Sequence, residues 1–185
     1  MRQHARRQIL YSFLSFVRMD SIVNKVAESG LITLDLTDFY PTGTIKVFDI
    51  KDFLFMGMIL KEKDYRAALQ SLDWEQYRGT HAGITCSADA IIPMWAYMLP
   101  VIYLQPLAAS ITFGDENAVI NQLIINNINN LPVEDYADRR VIIKGCGDKP
   151  ISEAAYLLIT NKLKPVAKSI MYGEACSSVP IYKKK

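Results

Sequence analysis

The stretch "LKPVAKSIMYGE" (residues 163–174) restates an earlier one, "LQPLAASITFGD" (residues 104–115). Six of the twelve positions are identical, and three more exchange Leu for Val, Phe for Tyr or Asp for Glu. Proline and glycine recur at fixed places, which common helix residues alone would not produce. Outward from this echo the match continues: Leu72, Glu75 and Tyr77 return as Leu131, Glu134 and Tyr136. Between them lie "HAGITC" (residues 81–86) and "RVIIKGC" (residues 140–146), apolar runs that end in Cys86 and Cys146. Each copy reads as strand, loop, helix and strand, with the register slipping by one residue around the cysteine loop. Ser152 is a good helix N-cap with Glu153 next to it. Its alignment with Pro93 starts the first copy's helix near that proline, which is tolerated at a helix start. Pro100 is expected to kink the same helix. A helix over residues 116–130 joins the copies.

Parallel crossovers are right-handed almost without exception. Two such units related by a twofold axis predict an α/β fold: an open, mostly parallel, doubly wound (Rossmann-like) sheet from two βαβ repeats, strand order 2-1-3-4. This core covers residues 73–185. Before it, residues 19–72 form an N-terminal α+β extension that packs on the main sheet. It holds a helix at 21–28, strands in "LITLDL" (31–36) and "TIKVFDI" (44–50), and a helix over 61–72 with Tyr65, Ala68, Leu69 and Leu72 on one face. Residues 53–60 are apolar without a clear period and take no assignment. Residues 1–18 read as a leader, with translation expected to begin at Met19.

Half of the 185 residues are hydrophobic, which places the chain among globular rather than disordered proteins. The formal net charge of +2 includes Arg2, Arg6, Arg7 and Arg18 in the leader; without those four it is −2. That leaves no basic field for nucleic acid. No apolar run reaches membrane-spanning length. Three cysteines make no disulfide framework, so a reducing cytoplasm is the expected setting.

In a doubly wound sheet the site lies beyond the carboxyl ends of the strands, at the switch point. Cys86 and Cys146 both fall there, on strands expected to be neighbours about 5 Å apart. Cys176 follows the last strand at the same rim. Asp89 and Asp148 sit in the cysteine loops, and a helix N-terminus beyond each loop favours thiolate. Thiolates with a carboxylate suit zinc or an iron–sulfur cluster. This makes Cys86, Cys146, Cys176, Asp89 and Asp148 the candidate metal ligands. The same placement suits a thiol enzyme or sulfur-transfer protein, with Cys86 or Cys146 as nucleophile and an Asp orienting it. Free cysteine also packs as a small hydrophobe, and no CxxC spacing marks a metal site. In that third reading the chain is a non-catalytic interaction module, and residues 53–59 form an oligomer or partner surface. His81 reads as structural, and no phosphate loop or dinucleotide fingerprint is present.

The segments "IVNKVAESGLITLDL", "FDIKDFLFMGMILKEKDYR", "CSADAIIPMWAYM", "VIIKGC" and "YGEACSSVPIYKKK" resemble the bacterial domain of unknown function 2480 family from about Met19 to Lys185. The family pattern carries cysteines where Cys86, Cys146 and Cys176 stand. The resemblance implies a cytoplasmic accessory role beside iron–sulfur cluster assembly, with assembly proteins as partners. It names no reaction.

Overall fold

The computed structural model describes residues 30–145 and 147–185. The leader, the helix expected at 21–28 and Cys146 lie outside the described residues. The described elements follow in the order β1 (Leu31–Asp35), β2 (Ile45–Asp49), α1 (Glu62–Ser71), β3 (His81–Thr85), α2 (Met94–Leu104), β4 (Ser110–Phe113), α3 (Glu116–Asn129), β5 (Arg140–Lys144), α4 (Glu153–Leu163), β6 (Ser169–Glu174) and β7 (Ser177–Lys183).

The fold is α/β, but the strands form two sheets instead of one doubly wound sheet. One has the order β2-β3-β4 and is parallel throughout. The other has the order β1-β5-β6-β7, parallel except for the closing hairpin β6–β7. The expected neighbours β3 and β5 therefore do not pair. Each already has both edges filled, β3 by β2 and β4, and β5 by β1 and β6. Two of these strands, β1 and β2, come from the N-terminal stretch, which is built into both sheets and not laid onto one.

The chain starts the second sheet with β1, leaves to build the whole first sheet, and returns to the second through α3. The two halves keep one constant offset. β3 and β5, α2 and α4, and β4 and β6 begin at 81 and 140, 94 and 153, and 110 and 169, which is 59 residues in each case. The register never slips at the cysteine loop. Cys86 matches Gly145, and Cys146 matches Ser87. A second echo lies in the N-terminal strands: "LITLDLTDFY" (31–40) and "IKVFDIKDFL" (45–54) share an Asp at the strand end, a second Asp and a Phe. Both form a strand followed by a 3-10 turn, Leu36–Phe39 and Ile50–Phe53.

Helix α3 lies between the halves because it is apolar on two sides. Ile120, Ile124 and Ile128 join Leu34, Val141, Ile143 and Ile170 in the core of the second half. Val119, on the other side, packs on β3 at Gly83. A Cβ at Gly83 would stand 3.0 Å from Val119 Cγ2 and 2.7 Å from the Gly114 carbonyl oxygen. Only glycine lets the helix come this close. The first half has its own core, which includes Phe48, Ile84, Tyr65, Leu69 and Trp74. Trp74 stacks on Phe48 and Tyr103 and donates its indole N–H to the Leu69 carbonyl at 2.7 Å.

The remaining helices lie where the sequence places them, in outline. Helix α2 begins at Met94, just after Pro93, and runs through Pro100 as one element. Helix α1 buries Tyr65 and Leu69. The unassigned stretch forms a tight turn closed by a bridge between Phe55 and Ile59, with Met56 and Gly57 at positive φ. His81 is structural, its Nδ1 lying 2.8 Å from Ser110 Oγ.

Candidate functional site

Two sheets give two carboxyl edges, and the repeat furnishes both in the same way. In the first half β2 ends in Asp49. Its Oδ1 accepts the backbone N–H of Lys51 at 2.9 Å, capping the 3-10 turn, and that of Ser87 at 3.0 Å. The carboxylate thus ties the exits of β2 and β3 together. Partial burial works to raise its pKa. The Ser87 and Lys51 donors outweigh this and hold Asp49 below the ordinary carboxylate value.

Cys86 is the first residue after β3. It is half-buried, packs against the core of its half, and its thiol lies 3.8 Å from the Ala88 carbonyl. Tyr97 of α2 shares this neighbourhood. Its phenol is pushed up by burial first, then by the charges that Cys86 and Asp49 can carry. Its ring meets Phe113 edge-on at 5.5 Å.

The second edge repeats the parts with different chemistry. β1 ends in Asp35, whose Oδ1 accepts the Thr37 hydroxyl at 2.7 Å and the Thr37 N–H at 3.0 Å. Its Oδ2 meets Lys144 Nζ at 3.1 Å. The Thr37 hydroxyl is the main cause of the lowered Asp35 pKa, against some burial, with Lys144 adding to it. Tyr156, the counterpart of Tyr97, donates its hydroxyl to the Gly145 carbonyl at 3.2 Å. It meets Tyr172, the counterpart of Phe113, edge-on at 5.8 Å. A Cβ at Gly145 would meet the Tyr156 hydroxyl, so a cysteine here, where the other half has Cys86, would require Tyr156 to shift.

The described residues expected to form one site belong to the edges of two sheets. Cys86 leaves the first sheet, while Cys176 is exposed in the two-residue turn between β6 and β7 of the second. Asp89 and Asp148 are exposed loop residues. Cys146 lies outside the described residues, but the strand ahead of it is not a neighbour of the strand ahead of Cys86. The adjacency that brought these thiols together in one sheet is thus lost. Among the described residues, no three His, Cys, Asp or Glu side chains come together as metal ligands.

Asp35 and Asp49 were not among the sequence candidates. Their signal was the shared "LDLTDF" and "FDIKDF". Nor did the sequence candidates include the outer face of α2, where Met94, Met98 and Ile102 are exposed at helical spacing, flanked by Ile91 and Phe113.

The family described as "Protein of unknown function (DUF2480)" matches residues 20–184. The chain belongs to that family. Among curated proteins and among solved structures, nothing matches it. In this DUF2480 chain no described helix is long and apolar enough to cross a membrane.

Proposed function

We propose that this DUF2480 chain works as a non-catalytic interaction module, and that the outer face of α2 pairs with the same face of a second copy. The observation that supports this is the exposed row Met94, Met98 and Ile102, together with exposed Ile91 just before the helix and exposed Phe113 against Tyr97 of the same helix, each of the five between 66% and 96% exposed. Single exposed apolar residues are ordinary, but a contiguous row at helical spacing marks a contact surface. Residues 91–114 contain no Asp, Glu, Lys, Arg or His. In a twofold contact a residue near the axis meets its own copy, so a charge there would face a like charge; an uncharged row avoids that cost. Methionine adds a flexible, polarisable side chain that packs against its own kind without strict geometry. The turn at Phe55, Met56, Met58 and Ile59 is a second exposed apolar surface of the same half.

The thiol reading has less behind it. Cys86 packs into a core cluster, and its nearest hydrogen-bonding group is a carbonyl, not a base. Zinc or a cluster on Cys86, Cys146, Cys176, Asp89 and Asp148 has lost the strand adjacency that supported it, and an accessory role in iron–sulfur assembly then rests on the family resemblance alone. Metal analysis of protein purified without oxygen would revive it if zinc or iron were bound stoichiometrically and lost in Cys146→Ser.

Sedimentation analysis of the full chain tests the interaction reading. The wild type is expected to sediment as a dimer and Met98→Lys as a monomer. Leu157→Lys, at the matched place on α4, should leave the dimer intact. A wild type that stays monomeric at every concentration would sink the second-copy assignment. A dimer that survives Met98→Lys and Met94→Lys together would place the contact elsewhere.

A further inference from the structure

The carboxyl edge of the second sheet opens into a cleft of about 370 Å³. Open α/β sheets carry their ligands at this edge, outside the strand ends. Three elements wall it. Tyr40 follows the 3-10 turn after β1, Asn117 and Asn121 come from the first turns of α3, and Ser152 and Glu153 begin α4.

Ser152 stands at the N-cap of α4 with extended backbone, φ −70° and ψ 152°. A serine there ordinarily accepts an N–H of the first helical turn. This one makes no cap bond. Its Oγ is buried without a partner, the only such side-chain N or O atom among the described residues. Buried polar groups are costly to leave unpaired, so a partner is owed to this hydroxyl. The other half has no equivalent: Pro93 occupies the matched position and Leu54 replaces Tyr40.

The lining restricts the ligand. Tyr40 offers an aromatic ring, and its hydroxyl is held by the Pro150 carbonyl at 3.3 Å. Lys149 sits over that ring, 5.0 Å from its centre. Two carboxamides can each present donor and acceptor to the edge of a heterocycle. Glu153 places a negative charge where the α4 N-terminus favours one, so an added phosphate would meet repulsion. A hydroxyl and a carboxylate side by side suit a pair of sugar hydroxyls.

We infer that this cleft binds an uncharged nucleoside or a molecule built like one, a flat heterocycle carrying a vicinal diol. The ring lies against Tyr40, its edge on Asn117 and Asn121, and the diol on Ser152 and Glu153. The site is separate from the α2 face, so the two assignments stand or fall independently.

Titration of the full ¹⁵N-labelled chain with adenosine, guanosine, cytidine and uridine tests it. At least one nucleoside should bind saturably and shift the amides of residues 117, 121 and 152–154. Ser152→Ala should weaken that binding at least tenfold without lowering the thermal midpoint of the free protein, because no cap bond is lost. Asn121→Leu should weaken it similarly. The matching 5′-monophosphate should bind less well than the nucleoside. Saturable binding of none of the four, undiminished binding in both variants, or tighter binding of the monophosphate would overturn the assignment.

Discussion

Helices α2 and α4 occupy matched places in the two halves, 59 residues apart, yet they meet solvent differently. Where α2 exposes Met94, Met98 and Ile102, α4 has Glu153, Leu157 and Asn161. One apolar residue between two polar ones is a normal outer face, and three in line are not. A matched contrast lies inside. Gly83 at the centre of β3 has Ile142 as its counterpart in β5, and Ile142 is fully buried. The first sheet gave up a side chain there to admit α3, whereas the second keeps one. Duplication supplied one plan, and each half was then fitted to what lies against it.

Exchanging residues between matched positions tests that account, and the largest effect belongs to Gly83→Ile. The new Cβ would press on the Gly114 carbonyl, a backbone atom that cannot swing aside, and on Val119. Overpacking against backbone should cost roughly 3 kcal/mol or more. Urea unfolding followed by circular dichroism would show a much lower midpoint. The reverse deletion, Ile142→Ala, should cost about 2–5 kcal/mol as a cavity mutation. If Gly83→Ile were neutral, the close docking of α3 on β3 would be wrong.

Next comes Gly145→Cys, which gives the second half the first half's residue. It collides with the Tyr156 hydroxyl, so a loss of about 1–3 kcal/mol is expected. Tyr156→Phe in the same chain should recover part of it, because the far end of the tyrosine is the obstacle. Absence of any recovery would mean that the clash with Tyr156 is not what excludes cysteine there.

These matched positions show how far the sequence could be read. The echo of "LQPLAASITFGD" was long and contained Pro and Gly, so the strand–helix–strand unit, the start of α2 and the linking helix were legible. The sheet partners were not. Hydrophobic alternation shows that a strand is half-buried but not which strand lies beside it, and β1 and β2 looked like an extension because their own echo is short. Without that echo, β3 and β5 offer free edges to each other, and the thiols after them converge on one rim. The α2 face is foreshadowed by the uncharged run of residues 91–114, but an all-apolar helix does not show which of its sides the sheet covers. Ser152 is legible as the N-cap position, but its unpaired hydroxyl depends on atomic placement that spacing cannot give.

The smallest effects concern Asp35 and Asp49, which cap the same turn in the two halves. Each has a folded-state pKa below the ordinary value of 3.8. A depressed carboxylate contributes stability above its unfolded pKa and loses it as pH falls through the folded value. Both halves should therefore weaken below about pH 4, and not at neutral pH. Replacement by Ala removes the cap and should cost about 1 kcal/mol in either half. The halves differ in how that loss responds to salt. Asp35 forms a direct ion pair with Lys144 as well as hydrogen bonds with Thr37, whereas Asp49 accepts hydrogen bonds from backbone N–H groups and Ser87, with the Lys51 charge last among the causes of its lowered pKa. Added salt screens a partly exposed ion pair more than it weakens a hydrogen bond. The cost of Asp35→Ala should thus shrink between low and high salt while that of Asp49→Ala stays nearly constant. Equal salt dependence in urea midpoints would show that Lys144 adds nothing to the second edge, and that the two caps are energetically the same device.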